Sequence, residues 1–594
     1  MNTVVASRRH AFLCTFLLLL CALATFPVAE SGINDDWSFV QSARILAQTG
    51  HIVYNGWAAT MLGWQLYLGA LFAKLFGPSF TSIRASTLLV AMITAFLIQR
   101  TLVRAGISPR NATIGTFVIV LSPLFLPLAV SFMSDIDGLF CLVVCLYACL
   151  RALQAESNRA VLCWLAFAAL SNAVGGTVRQ IAWLGVLVMF PCVIWLLRRR
   201  PHVLALGALL YATSVLLVFA SLHWFMQQPY SVPEPLIDRA PDLAHLGDLA
   251  VRLSVLLLTF AMLLLPILIA FIPTISLRHQ SIAALLAIGE VLSLAFAMHF
   301  FHYSIGHVAL PVDWSGNYVT SRGLVYVFGV KGPEPATPSI GPRIFISIAV
   351  VFALLCFFAF LLNGRRPTQS ADESPRISPP DSSSIPLRSL LALLLPFTCA
   401  YIGLILPRGL RGLLFDRYLL LLLPIAVILL LRLYQDRVHR NLPLASSVLV
   451  MIFAVVAVAG THDVYSMYRA QRSAIDELRA GGTLDTAIDG GFEYNGMIQI
   501  QHVGYINDPK MHMPAATRLT QPALFPANCQ PLRVWLTPAI VPGYALSSDP
   551  SACGGLSSFA PVIYHKWLPF RTVTIYIVNT IPQAPPQKSS LTSE

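Results

Sequence analysis

The sequence predicts an all-α polytopic membrane protein with a small extracytoplasmic α/β domain at its C-terminal end, on three observations. The 594 residues are 56% hydrophobic and only 11% charged, with a mean hydropathy of +0.71. Thirteen apolar runs approach the length that crosses a bilayer, about 17–25 residues in a helix. Basic residues concentrate in alternate links between those runs, as the cytoplasmic side of a membrane protein requires. A soluble domain carries roughly a quarter charged residues, so soluble multidomain, disordered and disulfide-dense scaffolds are excluded.

In order, the runs fall at 11–28, 81–102, 111–131, 136–152, 160–175, 180–197, 203–224, 249–272, 281–300, 343–363, 389–407, 418–432 and 444–461. Residues 8–30 also have the basic start and small-residue end of a signal peptide. The charge pattern of the following links favours their staying as the first helix. With Arg8-Arg9 cytoplasmic, the cytoplasmic links hold Arg100, Arg104 and Arg110, then Arg151 and Arg159, Arg198-Arg199-Arg200, Arg278, Arg365-Arg366 and Arg432, Arg437 and Arg440. The first outside loop, 29–80, contains an apolar stretch at 57–76 whose Trp, Tyr and Lys suit a helix lying at the interface. A Pro/Ser-rich segment, 364–388, reads as a disordered cytoplasmic linker. Residues 1–461 thus form the membrane domain of a multi-pass cell-membrane protein, N-terminus cytoplasmic.

Thirteen crossings leave residues 462–594 outside. Residues 464–480 have helical spacing closed by Gly481-Gly482, and 533–538, 560–565 and 572–579 are rich in β-branched and aromatic residues, as strands are. An α/β domain is therefore expected over 462–581, with a disordered tail over 582–594. Cys529 and Cys553 alone lie in polar surroundings, where a disulfide or two free thiols are both open. The net charge of +12 is mostly arginine spent in membrane links. No basic stripe interleaves with aromatics, so no nucleic acid is expected as a partner, and no Cys/His zinc spacing occurs.

Polar groups at segment ends on one side of a membrane carry functional signal, because burying them is costly. Four such places occur on the outside. Asn34-Asp35-Asp36-Trp37 sets two carboxylates side by side after the first run, suited to taking a proton from a hydroxyl or to holding a metal. The same residues also read as a solvated loop with an Asp cap. Asp135 and Asp137 open the fourth run, where helix-dipole stabilisation explains one acid. Arg179, after Gly175-Gly176, has the planar fork that suits a phosphate, or reaches to the interface. Arg408, Arg411, Asp416, Arg417 and Tyr418 set arginines on the side where they are not favoured, so they need an anionic partner. His302, His307 and Trp314 offer sugar contacts or belong to an aromatic belt. Carboxylate to activate a hydroxyl and arginine to hold a phosphate leaving group define glycosyl transfer from a lipid-linked donor. A flippase of lipid-linked sugars and a non-catalytic sensor are the alternatives; no internal repeat of the kind common in transporters is found.

The order of DDW after run one, RILAQTGHIVYNG at 44–56, FMSD at 132–135, TVRQ at 177–180 and FDRYLLLLLP at 415–424 resembles the GT-C superfamily over roughly residues 30–435. The nearest branch is family 39, the protein mannosyltransferase and aminoarabinose lipid A transferase-like enzymes. The phrase IDGGFEYNG at 488–496 is similar to one in bacterial members. The resemblance implies inverting transfer from a polyprenyl-phosphate sugar to a hydroxyl of a lipid, glycan or protein. It implies that Asp35, Asp36 and Asp135 are catalytic, and that Arg179, Arg417 and Tyr418 bind the donor phosphate. Asp137, His302, His307 and Trp314 are then candidate acceptor or sugar contacts. Asp36 and Asp135 are candidate ligands for a divalent cation, Mg²⁺ or Mn²⁺. The Asp-Asp pair departs from the family's usual Asp-Glu.

Overall fold

The computed structural model describes residues 2–57, 61, 63–233, 246–300, 309–312, 317–325, 330–332, 338–362, 385–410, 414–439, 441–512, 525 and 528–580. His302, His307, Trp314, Arg411, most of the 364–388 linker and the 582–594 tail lie outside the described residues. Among the described residues, eight helices are long and apolar enough to cross a membrane, from Phe80–Arg104 to Leu444–Ala480. The chain is a multi-pass membrane protein, and the remaining predicted runs also contain helix. Leu209, Leu216 and Phe219 are exposed on the helix Pro201–Met226, as lipid-facing residues are.

Local sequence sets the helix starts. Ser79, Ser108 and Ser157 each accept a backbone N–H of the turn that follows, from Ser82, Asn111 and Ala160. Pro109 sits just inside the second of these starts. Glu30 reaches from the first loop to accept Phe80 N at 2.9 Å and Thr81 N at 3.2 Å. The third and sixth predicted runs are broken. The third becomes Pro109–Val120 and Phe125–Ala129, separated at Ser122-Pro123. The sixth passes through a tight turn at Gln180–Trp183 and a wide one at Gly185–Met189 before the helix Phe190–Leu196. Asn172 replaces the disrupted backbone bonds there, donating to Ala182 O and accepting from Val186 N, each at 2.8 Å.

The first loop folds into two helices. Asp36–Thr49 ends at Gly50 in the left-handed conformation, and Trp64–Phe76 packs beside it. The latter exposes Tyr67, Leu71, Leu75 and Phe76 along one face, as an interfacial helix does.

Beyond the membrane the fold differs from expectation in three ways. The division at 461/462 falls inside a single helix, Leu444–Ala480, of 37 residues. The helix runs unbroken through Gly460-Thr461-His462-Asp463, so the membrane helix continues into the C-terminal domain. Residues 533–538 do not form a strand: Val534–Leu536 is a short helical turn, and Arg533 has φ +55°. Two short strands and a helix were not anticipated. Ile488–Asp489 pairs in parallel with Tyr544–Ser547, which runs antiparallel to Phe570–Asn579, itself antiparallel to Val562–Trp567. The helix Phe492–Val503 packs on Asp36–Thr49, bringing Gly496 against Trp37, where a Cβ would meet the indole at 2.6 Å. Cys529 and Cys553 form a disulfide within this domain.

Candidate active site

Asp35 occupies the N-cap position of the helix Asp36–Thr49, and Asp36 its first turn. This start turns the neighbouring carboxylates to different surroundings. Asp36 is fully buried. Its Oδ2 accepts Arg84 Nε at 2.8 Å and its Oδ1 accepts Arg84 Nη2 at 3.1 Å. Ile33 N and Phe132 N also donate to it. Arg84 completes its fork on Ala29 O at 2.8 Å and Ser31 O at 2.6 Å. Asp36 is therefore engaged as an anchor of the first loop, its carboxylate taken up by Arg84 and two backbone N–H groups. Arg84 was not singled out from the sequence. The signal was present: an arginine near the outer end of the second run breaks the charge rule, as Arg417 does.

Asp35 stays accessible. Its Oδ1 accepts Trp57 Nε1 at 3.1 Å, and its Oδ2 faces Arg417 Nη1 at 3.5 Å in a loose ion pair. Its side chain is 20% exposed and that of Arg417 14%. Trp57 stacks on Trp37 and meets Phe492 edge-on, with Arg533 over both the Trp57 and Phe492 rings. The C-terminal domain thus supplies one wall beside Asp35.

Asp135 opens the helix Ser134–Gln154, where the dipole favours its charge. Arg179 Nη1 lies 2.7 Å from Asp135 Oδ1. The approach lacks hydrogen-bond geometry, so both Asp135 oxygens remain buried without a hydrogen-bond partner among the described residues. The Tyr418 ring lies beside both Arg179 and Arg417, which joins the two ion pairs into one network. Arg179 can approach because Gly138 is bare: a Cβ there would stand 3.0 Å from the Arg179 side chain. Asp137 is buried, with Oδ2 unpartnered among the described residues.

Tyr418 forms the floor between the arginines. Its ring lies 5.6 Å from the Arg179 guanidinium and 6.0 Å from those of Arg408 and Arg417. Asp416 fixes the neighbouring loop by accepting Asn317 N, Tyr318 N and Val319 N at 2.6–3.2 Å. Burial raises its carboxyl to about 6, against these backbone donors that lower it. Asn317 in turn accepts from Asn34 Nδ2 at 2.8 Å. Tyr318 is fully buried, and its hydroxyl has no partner among the described residues. Burial, then the charge of Asp135, pushes its phenol up.

Of the predicted residues, Asp35, Asp135, Arg179, Arg417 and Tyr418 come together, with Tyr318 completing the cluster. Of the two candidate cation ligands, Asp36 is engaged by Arg84 and Asp135 pairs with Arg179. No three His, Cys, Asp or Glu side chains converge among the described residues. What the cluster offers is one accessible carboxylate facing guanidinium groups suited to phosphate oxygens.

Residues 64–224, about a quarter of the chain, match the family model described as dolichyl-phosphate-mannose-protein mannosyltransferase. No curated protein sequence matches the chain. Among solved structures it is similar to ArnT from Cupriavidus metallidurans bound to undecaprenyl phosphate, at 13% identity and a TM-score of 0.37, over 94% of this chain and 97% of that one. It is also similar to the oligosaccharyltransferase AglB of Archaeoglobus fulgidus, in complex with an inhibitory peptide and a dolichol-phosphate. That match has 14% identity and a TM-score of 0.37, over 80% of this chain and 58% of that one.

Proposed function

We propose that this chain, matched over residues 64–224 by the mannosyltransferase family model, is a GT-C membrane glycosyltransferase that uses a polyprenyl-phosphate sugar. The observation that carries the reading is the network of Asp35, Arg417, Asp135 and Arg179. Its two arginines face carboxylates that a lipid phosphate would replace.

The chemistry follows from those positions. The donor phosphate takes over Arg417 and Arg179, which releases Asp35 Oδ2 from its 3.5 Å contact. Asp35 accepts the proton of an acceptor hydroxyl as that oxygen attacks the anomeric carbon. The bond from that carbon to the phosphate oxygen breaks, and polyprenyl phosphate leaves with its new charge facing the guanidiniums. Attack opposite the leaving group inverts the anomeric centre. Tyr318 supplies a further donor toward the phosphate or sugar. The acceptor is a hydroxyl of a lipid, glycan or protein.

Arg417→Ala tests the phosphate site. Truncating one partner of a buried charge pair costs about 2–5 kcal/mol. The donor KM is expected to rise accordingly, with a smaller change in kcat. Donor kinetics identical to wild type would refute this role for Arg417.

The orientation is part of the same reading: the N-terminus is cytoplasmic, and the outer domain with its site is extracytoplasmic. A reporter fused after Glu594 is expected to be active only outside the membrane. Cytoplasmic reporter activity would overturn the thirteen-crossing topology.

A further inference from the structure

The antiparallel hairpin Val562–Trp567/Phe570–Asn579 ends in Trp567-Leu568-Pro569-Phe570. Phe570 is 87% exposed and Trp567 40%. An apolar tip of this kind is costly to hold in water and favourable at a membrane interface, where aromatic rings concentrate.

The long helix fixes the height of that tip. Residues 444–461 of Leu444–Ala480 are its apolar part, and eighteen residues at 1.5 Å each rise about 27 Å, close to the thickness of a bilayer's hydrocarbon core. Met451, Ile452 and Val455 lie exposed along this part, as lipid-facing residues do. His462 and Asp463 are the first polar side chains past its outer end. These two residues hold the tip. Asp463 accepts Trp567 N at 2.6 Å and Leu568 N at 2.9 Å. The His462 ring stacks on Trp567 with centroids 3.7 Å apart. The hairpin tip therefore lies level with the outer membrane boundary.

Cations lie beside it. Lys566 and Arg571 are cross-strand partners one register step behind Trp567 and Phe570. Lys566 also lines an open cleft with Arg322, Asp463, Tyr564 and Leu568.

We propose that this tip anchors the outer domain in the membrane, with Trp567 and Phe570 entering the outer leaflet and Lys566, Arg571 and Arg322 meeting anionic phospholipid headgroups. The anchor rests on the membrane placement of the chain and is independent of glycosyl transfer. It also sets the height of the domain that brings Phe492 and Arg533 against Trp57.

The test places the photo-crosslinker p-benzoylphenylalanine at position 570 of the full chain, in nanodiscs of phosphatidylethanolamine and phosphatidylglycerol. Parallel variants carry it at Leu216, on a membrane helix, and at Leu484, beyond the outer end of the long helix; these are 69% and 73% exposed. Phospholipid adducts at 570 should match the yield at 216 and far exceed that at 484. Lys566→Gln with Arg571→Gln should lower the phosphatidylglycerol share of the 570 adducts several-fold, as each cation near a charged leaflet favours anionic lipid. Position 570 behaving like 484 while 216 labels, or linking instead to a second copy of the chain, would overturn the anchor. An unchanged phosphatidylglycerol share would overturn the headgroup contact.

Discussion

Asp35→Asn is expected to lower kcat by roughly 10²–10⁴-fold, the contribution of a positioned general base, with little change in donor KM. Asparagine keeps an oxygen for Trp57 Nε1 and retains the shape of the helix start. It cannot take up the acceptor's proton. Arg417 and Arg179 both remain in the variant, with Arg179 still paired to Asp135, so the phosphate site should persist. The measurement is steady-state transfer with both substrates varied, alongside a thermal melt of the purified variant. A kcat within about threefold of wild type, far below a general base's contribution, would remove Asp35 from this role.

Arg84→Ala should destabilise the protein by about 3–5 kcal/mol, because it leaves a buried carboxylate without its counter-charge. Arg84 is 2% exposed and Asp36 fully buried, and Arg84 also ties down Ala29 O and Ser31 O. Loosening this junction moves the helix start that carries Asp35, so activity should fall with stability. Lysine should rescue only in part, since a point charge cannot reproduce the fork. The double variant Asp36→Asn with Arg84→Met separates anchoring from chemistry. It removes both charges together and should recover most of the stability and activity. A double variant that melts like wild type but is inactive would return Asp36 to the reaction. An Arg84→Ala melt equal to wild type would refute the anchoring role.

The contrast between Asp35 and Asp36 shows what was legible in the sequence. The apolar runs and the convergence of Asp35, Asp135, Arg179 and Arg417 could be read because misplaced charge in a membrane protein is conspicuous. The division of labour within Asp35-Asp36 could not be. It depends on where the helix begins and on Arg84, 48 residues away. The outer domain was less legible for a similar reason. Residues 533–538 have strand-like composition, but Arg533 takes a left-handed conformation and the segment turns. Phe492–Val503 holds a central glycine that weakens its helical signal. That glycine is the residue that lets the helix close on Trp37. In each case tertiary packing decided what local pattern left open.

The most direct measurement is the fate of radiolabelled sugar on a panel of polyprenyl-phosphate donors incubated with purified wild type and Asp35→Asn in nanodiscs, scoring hydrolysis as well as transfer. Wild type is predicted to consume at least one donor and release polyprenyl phosphate, while Asp35→Asn leaves it intact. Every donor remaining intact with wild type, while labelled lipid crosses the bilayer in proteoliposomes, would contradict glycosyl transfer and make the chain a flippase.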